Sequence, residues 1–283
     1  MLAMNAAQAG SVTIGGDLHV ARLGFGAMRI TGEGVWGLPP DRHEALRVLR
    51  RAVELGVTFI DTADSYGPDT SEMLIAEALY PYPEGLVIAS KGGHTRPARG
   101  VWTIDGRPEH LRAACEGSLL RLRVDTIPLY QLHRPDPEVP YEESVGALAE
   151  LRDEGKIRHI GVSNVSLEQL AQAQSVTPIA TVQNRFNLGD RTSVDVVDTC
   201  AATDIVFIPY APIKDWDGNS ALASIAKARG VTTQEVVLAW ILAYSPVMLP
   251  IPGTGSVAHL ETNVAGASLS LDEAELVLLR GSD

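Results

Sequence analysis

Sulfur chemistry is scarce in this sequence: 283 residues hold two cysteines, Cys115 and Cys200. They lie far apart and without metal-ligand spacing, so neither a disulfide framework nor a zinc site is expected. Two reduced thiols fit a cytoplasmic protein. Basic residues are also in short supply, 23 against 35 acidic, for a net charge of −12. A nucleic-acid binder needs a basic surface to displace counterions, so no such partner is expected. No run of ~20 apolar residues occurs, so no membrane-spanning helix is expected either. The opening "MLAMNAAQAGS" has neither the basic start nor the apolar core of a secretion signal. No Ser/Pro-rich linker or change of composition divides the chain, which reads as one domain over 1–283. Barrel folds of roughly 250 residues are common single domains. The sequence sets no oligomeric state.

What is present is an alternation of short apolar strands with amphipathic helices. The strands are expected at 22–28, 58–62, 86–91, 127–133, 157–163, 180–186, 204–211 and 247–253. Most are continuous apolar runs, as suits parallel strands covered on both faces. Asp41 with Glu44, and Ser166 with Gln169, have capping-box spacing at helix starts, and Gly56 and Gly155 supply stops. Ahead of the first strand, "SVTIGGDLHVARLG" reads as a β-hairpin turning at Gly15-Gly16. Eight strand–helix pairs and a hairpin predict an α/β protein, a (β/α)8 TIM barrel closed at the bottom by that hairpin. An open doubly wound sheet is the competing architecture.

In such a barrel, chemistry belongs at the C-terminal ends of strands. The second strand, in "TFIDTADSY", ends in Asp61, and its loop carries Tyr66; the third ends in Lys91 and the fourth in His133. Ser163 and Asn164 end the fifth, Gln183 lies in the sixth, and Tyr210 in the seventh. Singly, these residues read as a loop cap, a solvated strand end, a structural histidine and a half-buried aromatic. Together they place a carboxylate, a phenol, an ammonium and an imidazole at one mouth. They also fit one mechanism. Lys91 beside the phenol is expected to lower the Tyr66 pKa, Asp61 to hold Lys91 charged, and His133 to orient a carbonyl oxygen. Asp64 reads as an ordinary loop carboxylate.

The segments "FIDTADSYG…SE", "LVIASK", "YQLHRPD", "GKIRHIGVSN", "VQNRFN", "IPYAP" and "LPIPGT" together resemble the aldo-keto reductase superfamily, in its motif order, from about residue 22 to 264. The first-strand loop "MRITGEGVWGLPPDR" is similar to that of a bacterial, pyridoxal-reductase-like branch. The resemblance implies NADPH-dependent reduction of a small carbonyl compound to an alcohol, with no metal. It implies a tetrad at Asp61, Tyr66, Lys91 and His133, with Tyr66 the general acid. It also implies that Ser163, Asn164 and Gln183 meet the nicotinamide carboxamide, that Tyr210 stacks on the ring, and that the backbone at Gly26 and Met28 approaches the same region. "GFGAMR" at 24–29 is not a G-x-G-x-x-G loop, so a Rossmann pyrophosphate turn is not supported.

The sequence departs from the family at the expected 2′-phosphate site. Where many members carry a basic residue and an arginine, this chain has Gly253 and His259, leaving Thr254, Ser256 and Asn263 as hydrogen-bonding groups. NADPH is still expected, with Lys214 or backbone amides assisting and NADH as the alternative. The preference should grow as the pH falls and His259 takes up a proton. Trp36, Trp102 and Trp216 fall in segments expected at the mouth, as substrate-pocket walls or as loop anchors. Arg29, His94 and Arg134 add positive character suited to a polar carbonyl, with pyridoxal a candidate. Two other classes stay open: a Schiff-base lyase using Lys91, and a noncatalytic cofactor-binding regulatory subunit.

Overall fold

The computed structural model describes residues 4–214, 216 and 219–281. The chain starts with the expected hairpin, β1 (Ser11–Ile14) against β2 (Leu18–Ala21). Gly15 and Gly16 make its turn with φ of 61° and 86°, a region closed to most side chains. Ile14, Leu18 and Val20 turn inward and pack with Phe59, Leu129, Ile208 and Leu249. The hairpin is thus an apolar plug in the barrel floor, and hydrophobic burial holds it there.

The wall follows as β3 (Phe25–Gly26), α1 (Arg42–Glu54), β4 (Phe59–Asp61), α2 (Thr70–Leu79) and β5 (Val87–Gly92). A second hairpin comes next, β6 (His94–Ala98) with β7 (Val101–Ile104), then α3 (Pro108–Leu122). The chain continues through β8 (Ile127–Leu132), α4 (Tyr141–Asp153), β9 (Ile157–Ser163), α5 (Leu167–Val176), β10 (Thr181–Gln183), α6 (Val194–Ala202) and β11 (Val206–Phe207). It finishes with α7 (Ser220–Arg229), α8 (Thr233–Tyr244), α9 (Val257–Ala265) and α10 (Glu273–Arg280).

Seven parallel strands stand side by side in the order β3-β4-β5-β8-β9-β10-β11. The eighth staff of the barrel, around 247–253, is paired without a regular ladder. On one side Leu249 donates to Phe207 and Phe207 to Val247. On the other, Gly24 and Gly26 donate to the carbonyls of Pro250 and Pro252 at 3.0 and 3.4 Å. Proline has no N–H to return, so half the ladder is missing although the ring closes. Glycine is required at this seam: a Cβ at Gly26 would meet the Ile251 carbonyl at 2.7 Å.

The strands are mostly shorter than their apolar runs suggested, because pairing stops where each chain turns outward at the mouth. The β6–β7 hairpin was not foreseen. It is carried by "HTRPARGVWTI", where Gly100 turns at φ 79°. A large cluster between helices and sheet forms the main core, with Leu49, Ile75, Leu148, Val182 and Trp240 fully or nearly fully buried. Of the two expected capping boxes, the one at Ser166 and Gln169 is complete. At α1 only Asp41 caps, because the Glu44 side chain turns away to accept from the Val257 amide, the first residue of α9, at 3.0 Å. Among the described residues no helix is long and apolar enough to cross a membrane.

Candidate active site

Parallel pairing sets the site. Asp61 ends β4 opposite Ala89 of β5, and Lys91 lies two residues further along β5, opposite Gln131 of β8. Pleat alternation therefore turns Asp61 and Lys91 to the same interior face. Lys91 Nζ donates to Asp61 Oδ2 at 2.7 Å, to the Thr62 carbonyl at 2.8 Å and to the Tyr66 hydroxyl at 3.4 Å. Asp61 Oδ1 accepts from Gln183 Nε2 at 2.8 Å and Gln131 Nε2 at 3.3 Å. Both carboxylate oxygens are thus engaged, as a buried charge demands. The glutamine in the middle of "LYQLH" was the legible sign of the Gln131 contact, which sequence reasoning passed over.

Burial alone would drive Lys91 toward the neutral amine, but Asp61 and Tyr66 outweigh it and hold its pKa above the ordinary lysine value. For Tyr66 the expected sign is reversed. Burial of the phenol is the larger effect, and Lys91 only partly offsets it, so the Tyr66 pKa lies above its ordinary value. The lysine limits the rise rather than producing a fall. Tyr66 therefore holds its proton through the neutral range, as a donor must. His133, buried beside it, is pulled well below the usual histidine pKa, by burial first and then by Lys91, His94 and Arg134. It is a neutral imidazole at pH 7, edge-on to Tyr66 at 5.8 Å and to His94 at 4.4 Å between ring centroids.

Asp61, Tyr66 and His133 line a cavity of about 520 Å³, with Lys91 fully buried behind them. Gly26, Met28, Arg29, Trp102, Ser163, Asn164, Gln183, Tyr210, Lys214 and Gly253 also line it, as do His94 and Arg134. Asn164 stands at positive φ, 59°, a conformation asparagine tolerates better than most. Its side chain donates to the His133 carbonyl and to Ser163 Oγ, and accepts from the Tyr210 hydroxyl at 2.8 Å and from Arg134 at 3.1 Å. The Tyr210 ring is thereby fixed on the cavity wall.

Other expected residues lie off the wall. Trp36 sits behind it, facing Arg96, because its loop folds back on Gly67. Trp216 packs against the helix core. Thr254, Ser256, His259 and Asn263 belong to the loop and helix beyond Gly253 and are not among the residues that line the cavity. There, Asn263 is buried and its Nδ2 has no hydrogen-bond partner, while Ser256 stands at the start of α9 without capping it. Arg185 and Ile213, not anticipated, do line the cavity. Asp64 is not an ordinary loop carboxylate: Oδ1 is buried without a partner. Burial pushes its carboxyl up to about 8, with the buried Glu72 adding to the rise.

A phenol held protonated beside a charged lysine and a neutral imidazole, at the mouth of a closed parallel barrel, is a site able to give a proton to an oxygen of a bound molecule. Sequence and structural comparison agree. The aldo/keto reductase family profile matches residues 22–218 and 214–282, and the chain belongs to that family. It is 44% identical over 272 residues to an uncharacterised oxidoreductase of Schizosaccharomyces pombe, covering 95% of this chain and 88% of the other. It is 40% identical over 275 residues to pyridoxine 4-dehydrogenase of Escherichia coli, covering 94% and 96%. Among solved structures, a thermostable aldo-keto reductase bound to the inhibitor epalrestat superposes with a TM-score of 0.85 at 32% identity, covering 96% and 99%. An aldo/keto reductase of Klebsiella pneumoniae holding NADP and acetate gives 0.81 at 29% identity, covering 95% and 93%.

Proposed function

We propose that this chain reduces a small aldehyde to its alcohol, with NADPH as cofactor and pyridoxal the first substrate to test. The observation that carries the reading is the Tyr66–Lys91–Asp61 chain of hydrogen bonds at the cavity wall. The NADP held by the K. pneumoniae relative and the activity named for the E. coli relative support the cofactor and the substrate.

The residues present fit a nicotinamide dinucleotide. Tyr210 offers a fixed aromatic face, Ser163, Asn164 and Gln183 cluster beside it, and the unpartnered Asn263 Nδ2 offers a donor in the last turn of α9. The bound cofactor supplies hydride. The chain supplies the rest: Tyr66 gives its proton to the carbonyl oxygen as negative charge develops there. Lys91, already charged, stabilises the phenolate left behind, and Asp61 keeps that lysine fixed and charged. Neutral His133 can donate a second hydrogen bond to the same oxygen from the other side. A lysine this deeply paired is a poor Schiff-base nucleophile, because it must be neutral to attack.

Following NADPH absorbance over a panel of carbonyl compounds, pyridoxal included, tests the reading. Wild type should turn over, and Tyr66→Phe should lose about 10²–10⁴ in rate. A Tyr66→Phe enzyme of nearly full activity removes Tyr66 from the role assigned to it.

A further inference from the structure

One buried charge near the mouth has no carboxylate to answer it. Arg96, on β6, is 8% exposed and forms no salt bridge among the described residues. Its guanidinium instead donates to four backbone carbonyls on three separate segments. They are Gly34 at 3.0 Å and Val35 at 2.8 Å in the loop after β3, Ser65 at 3.3 Å in the loop carrying Tyr66, and Val101 at 3.1 Å across its own hairpin. Two indole rings cover it, Trp102 at 3.8 Å and Trp36 at 5.5 Å from the guanidinium carbon. A planar, permanently charged fork with five donors suits this task, and a lysine does not.

A second observation shows that the contact holds strain. Val35 has φ of 56°, a left-handed conformation that a β-branched residue rarely adopts. Such a residue persists only where its surroundings over-determine it. Here the Val35 carbonyl is bound by Arg96, and the neighbouring Gly37 amide donates to the Gly67 carbonyl at 2.7 Å. The exposed pair Arg99–Glu33 adds a weaker link between the same two segments.

The clamp acts on the substrate side of the cavity through aromatic contacts. Trp102 lines the cavity and sits edge-on to His94 at 5.6 Å, and His94 in turn contacts His133. We propose that Arg96 is a positioning residue that sets a preference for aromatic aldehydes, by fixing the Trp102 hairpin and the 32–37 loop against the segment that carries Tyr66. This rests on the reductase reading above. Arg96 touches neither carbonyl nor cofactor. It holds the aromatic Trp102 wall of the cavity in place, and a small aliphatic aldehyde gains little from such a wall.

The test uses Arg96→Met and Arg96→Lys in the full chain. Pyridoxal and propanal are compared as substrates, NADPH affinity is measured by fluorescence titration, and amide hydrogen exchange is followed over 32–37 and 94–104. Both variants should lose at least ten-fold more kcat/KM for pyridoxal than for propanal, mainly through KM, with NADPH affinity held within about two-fold. Exchange should quicken in both segments and stay unchanged in the barrel strands. Equal losses for the two aldehydes, rescue by lysine, or unaltered exchange would each overturn the proposal. Wild type that reduces neither aldehyde would overturn the reductase reading instead, and the exchange measurement would still decide whether the clamp exists.

Discussion

Replacing Lys91 by methionine isolates the electrostatics of the buried pair, since the side-chain stem and its packing are kept. The ammonium lost is fully buried and makes three hydrogen bonds, the shortest to Asp61 at 2.7 Å. Asp61 Oδ2 is then left without its partner, while Oδ1 keeps Gln183 and Gln131. Breaking a buried ion pair from one side costs about 3–5 kcal/mol, and the two surviving donors favour the lower end, about 3 kcal/mol. Changing Asp61 to asparagine in the same chain removes the stranded charge. The double variant Asp61→Asn/Lys91→Met should therefore regain about 2 kcal/mol over Lys91→Met alone. Urea unfolding at pH 7, with slopes checked for constancy, reads these differences directly. Lys91→Met, Asp61→Asn alone and the double variant should all be inactive, so stability rather than turnover is the measurement. Single-variant losses that add to within about 0.5 kcal/mol would show that the pair is not coupled, and the account of Lys91 would fail.

Reduction should show no histidine limb between about pH 6 and 8, because His133 is depressed and already neutral there, while Tyr66, raised above its usual value, stays protonated; a kcat/KM profile bending near pH 7 would contradict this. The folded chain holds a proton on Asp64 up to about pH 8, whereas the unfolded chain releases it near pH 4, so stability from this group falls as the pH rises between those values. Asp64→Asn should therefore stabilise the protein at pH 8 by about 1–3 kcal/mol and hardly at all at pH 4, checked by urea unfolding at both. Glu44 places a carboxylate oxygen on the first amide of α9, beside the region expected to meet the 2′-phosphate. Glu44→Gln should tighten NADPH by about three-fold or more and leave NADH unmoved, read as dissociation constants, and equal effects on both cofactors would refute it.

The barrel and the meeting of Asp61, Tyr66, Lys91 and His133 were legible because both depend on local rules: apolar runs set the strands, and strand ends set the mouth. Burial was less legible. Nothing in "DTADSY" tells that Asp64 is raised by burial and by Glu72 while Asp61 is paired with Lys91, since tertiary packing decides it. The sign at Tyr66 was misjudged for the same reason: sequence shows which charges are near but not how dry the phenol is. The role of Arg96 was hidden because its partners are carbonyls, which every residue has, spread over three segments. Trp36 and Trp102 were both expected at the pocket, yet a single cation separates the one behind the wall from the one on it.

The proline-bearing staff at 247–253 gives the barrel a join of one polarity. Toward β3 it offers the carbonyls of Pro250 and Pro252 and no matching N–H, so it can receive a neighbour's donors but cannot supply a ladder of its own. During synthesis this staff emerges last of the eight, when the other seven can already stand as an open sheet with β3 and β11 at its free margins. A strand able to bond fully on both sides could equally well stitch two such unfinished sheets from different chains together. One that both donates and accepts on a single side only, and needs glycines opposite it on the other, fits its own barrel and little else.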